Sequence, residues 1–171
     1  IIESYEAVKR DGRHRPVPKL LTWLGGSAGS GKSTTLKTCV QHLRLKFSKR
    51  GMLFKVELTA YTGVAAFNIG FGARTACSAF QVFPNAAWKN ELEKEALRKL
   101  EDIWHNVVLL IIDEISSIGR ALFARMHIRT QQAKRAYFSE RGLDPNEHQF
   151  GDLSMILVGD FGQLEPIDDF S

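Results

Sequence analysis

The chain of 171 residues is 44% hydrophobic, contains two cysteines and has a formal net charge of +4. This length and composition suit about one domain with a substantial core. They exclude a membrane span, because no stretch approaches the roughly 20 apolar residues that one requires, and a disulfide scaffold or cysteine metal cluster, which needs more cysteines.

The first segment, residues 1–19, is basic. The chain begins with Ile1 and shows no signal-peptide pattern, so we expect a fragment of a soluble intracellular protein. Residues 1–60 carry 12 Lys or Arg and 4 Asp or Glu, against 11 and 15 in the remainder. A basic half suits a polyanionic partner, but the run KRDGRHRPVPK at 9–19 would equally suit a solvated loop.

The next segment combines an apolar strand, a glycine-rich loop and a helix. LLTWL (20–24) is strand-like, and STTLKTCVQHLRLKF (33–47) has helical apolar spacing. GGSAGSGKST contains the pattern G-x-x-x-x-G-K-[ST], in which backbone N–H groups close around a polyphosphate at a helix N-terminus. Lys32 would reach the terminal phosphates and Ser33 would hold Mg²⁺. The residues predicted to line the nucleotide are Gly26, Ser27, Ala28, Gly29, Ser30, Gly31, Lys32, Ser33 and Thr34.

Three further strand-like runs predict a parallel α/β sheet flanked by helices. They are LFKVELTA (53–60), NVVLLIID (106–113) and LSMILVGD (153–160). The last two are nearly continuously apolar, as strands covered on both faces should be. Helical segments between the runs favour parallel pairing.

Two amphipathic helices and a loop are predicted between these strands. NELEKEALRKLEDI (90–103) places apolar residues on one face. RALFARMHIRTQQAKRAYF (120–138) is predicted to be a second helix, whose basic residues we interpret as a solvated face. SERGLDPNEHQFGD (139–152) is predicted to be a loop from its Gly, Pro and Asn content.

Polar residues follow the last two strand-like runs. Asp113 and Glu114 would emerge at the carboxyl edge, where open α/β sheets bind ligands. One carboxylate can coordinate Mg²⁺ through water, and its neighbour can orient or deprotonate the water that attacks a γ-phosphate. In LVGDFGQLEP, the Gln163 amide could register a γ-phosphate by a hydrogen bond. Without the phosphate loop, the first pair would be an ordinary helix cap and the second stretch a turn.

Four motifs in order carry a family resemblance. GGSAGSGKST, LTAYTGVAAFNIG, LLIIDEISSI and LVGDFGQLEPI resemble motifs I, Ia, II and III of the PIF/RecD-like superfamily 1 DNA helicases, which include Helitron-type helicases. The resemblance implies a RecA-like P-loop NTPase fold for residues 20–171, with the LVGD strand between the phosphate-loop strand and the IIDE strand. IIESYEAVKRDG resembles a helix of the same family, so residues 1–19 are expected to form an N-terminal helix and a basic linker.

The resemblance also implies roles for particular residues around Mg-ATP and DNA. The expected catalytic residues are Glu114 as the base, Lys32 and Gln163, and the expected magnesium ligands are Ser33 and Asp113. The residues expected to contact the backbone of single-stranded DNA are Thr59, Thr62, Gly63 and Ala65. Small and hydroxyl residues suit a close approach to phosphates. Taken without the family, TAYTGVAAF is merely a strand end and a helix start.

The function implied is an ATP-dependent DNA helicase motor acting on single-stranded DNA and duplex junctions. Repair, recombination and telomere maintenance are expected roles, in the nucleus or mitochondrion of a eukaryote or the cytoplasm of a bacterium, with no membrane partner. The sequence stops at Ser171, just after motif III, so the second RecA-like domain of the same chain, with its arginine finger, is expected to be absent.

Other nucleotide-dependent functions fit the sequence less well. A GTPase would need an N-K-x-D motif, which is not found, and a small-molecule kinase would not need the Asp-Glu pair followed by a glutamine at a strand end. The resemblance to motif Ia argues against an AAA-type ATPase. The remaining alternative is a truncated module that binds nucleotide or DNA without productive hydrolysis.

Overall fold

The computed structural model describes residues 19–49, 51, 55–83 and 87–162. Within these ranges, five strands form one sheet in the order β1-β5-β4-β2-β3, and every neighbouring pair is parallel. The strands are β1 (Leu21–Gly25), β2 (Lys55–Ala60), β3 (Arg74–Thr75), β4 (Val107–Asp113) and β5 (Ser154–Gly159). The parallel α/β prediction is confirmed, and β5 lies between β1 and β4 as the resemblance implies.

Helices connect the strands and cover the sheet. The α-helices are α1 (Lys32–Lys49), α2 (Gly63–Ile69), α3 (Ala76–Phe80), α4 (Lys94–Trp104), α5 (Arg120–Ala133) and α6 (Arg135–Ser139). Short 3-10 helices span Ile115–Ser117, Pro145–Glu147 and Gln149–Asp152. None of the helices in the described ranges is both long enough and apolar enough to cross a membrane.

Two apolar layers pack on opposite faces of the sheet. Since successive strand residues point to opposite faces, β4 contributes Leu109 and Ile111 to one layer and Leu110 and Ile112 to the other. The first layer is completed by α1 and α2 with Leu36, Val40, Ala66 and Ile69. The second is completed by α3, α4 and α5 with Phe80, Leu100, Trp104 and Met126. The central strand is therefore covered on both faces, as its apolar sequence predicts.

The segment from 120 to 152 differs from its prediction. The helix predicted for 120–138 is interrupted at Lys134, whose φ is −101° and ψ is 4°. Its ammonium turns inward and donates to the Val107 carbonyl at 3.1 Å, and burial lowers its pKa to about 8. The loop predicted for 139–152 contains two 3-10 helices. The second of these 3-10 helices is held in place by buried Phe150, whose backbone N–H donates to His127 Nδ1 at 3.0 Å.

The prediction that the basic residues of this helix form a solvated face is wrong for Arg129, whose side chain is only 2% exposed. Its guanidinium donates to the carbonyls of Lys89 and Asn90 at 2.8 and 3.2 Å, and to Gln132 Oε1 at 2.7 Å. It also lies over the Trp88 ring, 4.2 Å from the centroid. Arg129 thus ties the segment before α4 to α5.

We expect Arg129→Leu to lower the free energy of unfolding by about 2 kcal/mol, because two part-buried backbone carbonyls lose a charged donor. Urea unfolding would measure the change. Arg125→Leu is the matched control, since Arg125 lies on the same helix and over the same Trp88 ring at 5.2 Å but is less buried. An equal loss in both variants would show that the carbonyl bonds are not the cause.

Two remaining predictions concern the N-terminal segment and the cysteines. The helix and linker expected within residues 1–19 fall on residues 1–18, which lie outside the described ranges. Cys39 and Cys77 are both free thiols, consistent with the absence of a disulfide scaffold that the composition predicts.

Candidate nucleotide site

The strand order brings the predicted site segments to one edge of the sheet. Gly25 of β1 is in register with Gly159 of β5, and Ile112 of β4 with Leu157 of β5. The glycine-rich loop therefore leaves the sheet two strands away from Asp113. This is the carboxyl edge, where open parallel sheets bind ligands.

The loop from 26 to 31 has the backbone that a phosphate cradle requires. Gly29 and Gly31 have φ values of 76° and 87°, which side-chain-bearing residues rarely adopt. A Cβ atom at Gly26 would lie 2.6 Å from Ser30 Oγ. The 18-residue helix α1 follows at once, so its first backbone N–H groups lack intrahelical partners and face the loop.

The Lys32 ammonium folds back over this loop. It donates to the Gly26 carbonyl and to the Ser27 carbonyl, the latter at 2.9 Å. The Ser30 N–H donates to the same Ser27 carbonyl at 3.2 Å and tightens the turn. A positive charge is thereby held beside the free N–H groups of the helix start, which is an arrangement that attracts a polyanion.

Asp113 stands at the end of β4 with its carboxylate half-buried. Burial raises its pKa above the ordinary value, while a 2.9 Å hydrogen bond from the Glu114 N–H and the nearby Lys32 ammonium partly oppose that shift. A cation bound nearby would stabilise the ionised form of such a carboxylate. Together with the Ser33 hydroxyl it offers the hard oxygen donors that suit Mg²⁺, which in phosphate sites needs only one or two protein ligands.

Glu114 occupies a strained position next to Asp113. Its φ of 55° and ψ of 38° lie in the left-handed region, which costs free energy for a residue with a side chain and is common at functional sites. Its Oε2 accepts a hydrogen bond from the Thr62 hydroxyl at 3.2 Å. The carboxylate is therefore directed towards the segment that follows β2.

That segment contains the residues predicted to contact DNA. Thr62 and Gly63 are exposed and Ala65 is partly exposed; the Thr62 hydroxyl also accepts from the Ala65 N–H at 3.1 Å and so caps α2. Thr59, the fourth residue of that prediction, is fully buried and donates its hydroxyl to the Ile111 carbonyl at 3.1 Å. Its side chain holds β2 to β4 and is not presented to a ligand.

Gln163 lies outside the described residues, which end at Gly162. The turn leading to it is described: the Gly162 N–H donates to Asp160 Oδ1 at 3.0 Å. The Phe161 ring stacks on Trp23 of β1 with centroids 4.7 Å apart. Neither this stacking nor the bond between Thr62 and Glu114 is predictable from the sequence, because both join residues that are distant in the chain.

Comparison with known proteins finds similarity to the family that the four motifs resemble. A family model described as PIF1-like helicase matches residues 17–170. The ATP-dependent DNA helicase PIF1 of Candida albicans is 32% identical over 146 residues, which cover 83% of this chain and 14% of the relative. The ATP-dependent DNA helicase RRM3 of Saccharomyces cerevisiae is 30% identical over 142 residues, which cover 83% of this chain and 18% of the relative.

Solved structures of Pif1 helicases share the fold. The crystal structure of Candida albicans Pif1 superposes with a TM-score of 0.61 at 28% identity, covering 87% of this chain and 31% of that one. Bacteroides Pif1 in complex with ADP-AlF3 and ssDNA gives a TM-score of 0.64 at 22% identity, covering 99% of this chain and 33% of that one. The RecA-like fold predicted from the motifs is confirmed.

Proposed function

This chain belongs to the PIF1-like helicase family, and we propose that it is the first ATPase domain of a DNA helicase that hydrolyses ATP to move along single-stranded DNA and unwind duplex. The observation that carries the proposal is that the phosphate loop, Asp113 and Glu114 lie at the same edge of the sheet. The chain spans only 14% and 18% of the length of the two yeast relatives. The activity of the whole helicase, including a second motor domain, is therefore part of what we propose.

Binding of the nucleotide would fall to the loop and the start of α1. The Lys32 ammonium would exchange the Gly26 and Ser27 carbonyls for phosphate oxygens. The Ser33 hydroxyl and the Asp113 carboxylate would hold Mg²⁺, which supplies neutralisation of charge on the β- and γ-phosphates when bound. Bacteroides Pif1 has been solved with ADP-AlF3, which is consistent with this assignment.

Hydrolysis would use Glu114 as the general base for the attacking water. It is adjacent to the proposed metal ligand, and its side chain is not committed to the sheet. Gln163, just beyond the described residues, would read the γ-phosphate through its amide. Thus three side chains would divide three tasks: metal binding, proton removal and sensing.

The DNA strand would be contacted at the exposed end of motif Ia, at Thr62, Gly63 and Ala65. Bacteroides Pif1 has been solved with ssDNA, and another Pif1 structure concerns unwinding at forked dsDNA; we extend these ligands to this chain as single strands and duplex junctions. The same proposal includes roles in repair, recombination or telomere maintenance. The protein would act in a nucleus or mitochondrion, or in a bacterial cytoplasm.

We expect the full-length protein to hydrolyse ATP faster with single-stranded DNA and to separate a forked duplex. Lys32→Ala should lose both activities, because the loop then lacks its charged phosphate ligand. Rates of phosphate release and of strand separation would be measured on the same preparations. Nucleotide and DNA binding without hydrolysis in the wild type would instead establish the alternative, a binding module.

A further inference from the structure

The Thr62 hydroxyl makes two hydrogen bonds with different partners. It accepts from the Ala65 N–H at 3.1 Å, which caps α2, and it donates to Glu114 Oε2 at 3.2 Å. A hydroxyl has one proton to donate. At a given moment that proton can serve Glu114 or another acceptor that approaches Thr62, and Thr62 is exposed to solvent.

The bond to Thr62 draws the Glu114 carboxylate to one side of its strand. Glu114 follows β4, and Thr62 follows β2, which pairs with β4 on one flank. The phosphate loop follows β1, which lies on the other flank beyond β5. At roughly 4.8 Å between strands, β1 is about 10 Å from β4 in that direction. The hydrogen bond thus turns the carboxylate away from the side of the phosphate loop.

We propose that Thr62 is a positioning residue that holds Glu114 in a resting orientation until single-stranded DNA engages Thr62. A DNA phosphate oxygen would take the single hydroxyl proton, and Glu114 would lose the donor that keeps it turned towards β2. The inference rests on the proposed helicase function. It gives the motif Ia threonine a second task, which is to suppress ATP hydrolysis without DNA.

The test compares four variants in the full-length protein, with kcat and KM for ATP measured without DNA and with saturating oligo-dT. Thr62→Val removes the hydroxyl, and Thr62→Ser retains it. Thr62→Asp keeps a good helix-capping acceptor but has no proton to donate, so it protects α2 from unfolding. Thr75→Val is the matched control, because Thr75 caps α3 in the same way, accepting from the Ser78 N–H at 3.2 Å.

We expect Thr62→Val and Thr62→Asp to raise the DNA-free kcat about fivefold, the net contribution of one typical hydrogen bond in water, with KM for ATP unchanged. Stimulation by DNA should shrink by the same factor or more. Thr62→Ser should behave as wild type. Thr75→Val should leave the DNA-free kcat unchanged, which separates the loss of a helix cap from the release of Glu114.

Two results would overturn the inference in distinguishable ways. If DNA stimulates the wild type while Thr62→Val and Thr62→Asp keep or lower the DNA-free kcat, Thr62 does not restrain Glu114 and the helicase proposal stands. If DNA does not stimulate the wild type at all, the proposed function and this inference are both wrong.

Discussion

Glu114→Gln in the full-length protein is expected to reduce ATP hydrolysis by about 10²- to 10⁴-fold, the usual contribution of a general base, while ATP affinity stays nearly unchanged. The amide cannot accept the proton of the attacking water. Its oxygen can still accept the hydrogen bond that Thr62 donates at 3.2 Å. The substitution therefore removes basicity with little change in shape or local packing.

Asp113→Asn serves as the matched variant one residue away. Because Asp113 is proposed to hold the metal, its loss should weaken the dependence of nucleotide binding on Mg²⁺ as well as hydrolysis. Titrating a fluorescent ATP analogue at several Mg²⁺ concentrations, alongside phosphate release, separates the two effects. Normal hydrolysis by Glu114→Gln would mean that the base is another group, and identical Mg²⁺ profiles would remove Asp113 from the metal site.

The phosphate loop could be predicted from the sequence because its chemistry is local. Positive φ at Gly29 and Gly31 and the close approach at Gly26 are requirements that glycine alone meets easily. The next residue, Lys32, starts the helix whose N-terminus would face bound phosphates. Strand, loop and helix are contiguous, so spacing alone identifies them. The order β1-β5-β4 is not local, and it was anticipated only through the family resemblance.

The contacts of α5 could not be predicted because they depend on what covers the helix. Leu122, Met126, Arg129 and Ala133 recur at helical spacing on one face. A basic residue in such a stripe is ordinarily interpreted as solvated, yet Arg129 is enclosed by backbone carbonyls and the Trp88 ring. Those acceptors come from residues about 40 positions earlier in the chain, and the helix sequence does not specify them.

Glu57 in β2 illustrates the same limit in a strand. The alternation in KVELTA suggests a polar face, but Glu57 is only 6% exposed. Burial raises its pKa to about 7, against the opposing effects of Arg74 and Lys55. The Arg74 Nε lies 3.6 Å from its Oε1, which is too far for a hydrogen bond. Arg74 lies on β3, a strand of two residues that is too short to show a strand pattern in the sequence.

Residues 1–171 alone are expected to bind Mg-ATP but to hydrolyse it about 10³-fold more slowly than the full-length helicase. Affinity comes from the phosphate loop, and Lys32 already lies on that loop. The transition state places additional charge on the γ-phosphate oxygens. The resemblance assigns the cation that meets this charge, an arginine finger, to the second motor domain.

Two measurements on the isolated chain test this division of labour. Equilibrium titration should give an ATP affinity within a few fold of that of the full-length protein, whereas single-turnover hydrolysis should be slow and insensitive to single-stranded DNA. Lys32→Ala is the control and should lose nucleotide affinity, since the phosphates then lack their charged ligand. Hydrolysis by the isolated chain at the full-length rate would contradict the prediction, because residues 1–171 would then supply all the transition-state charge stabilisation themselves.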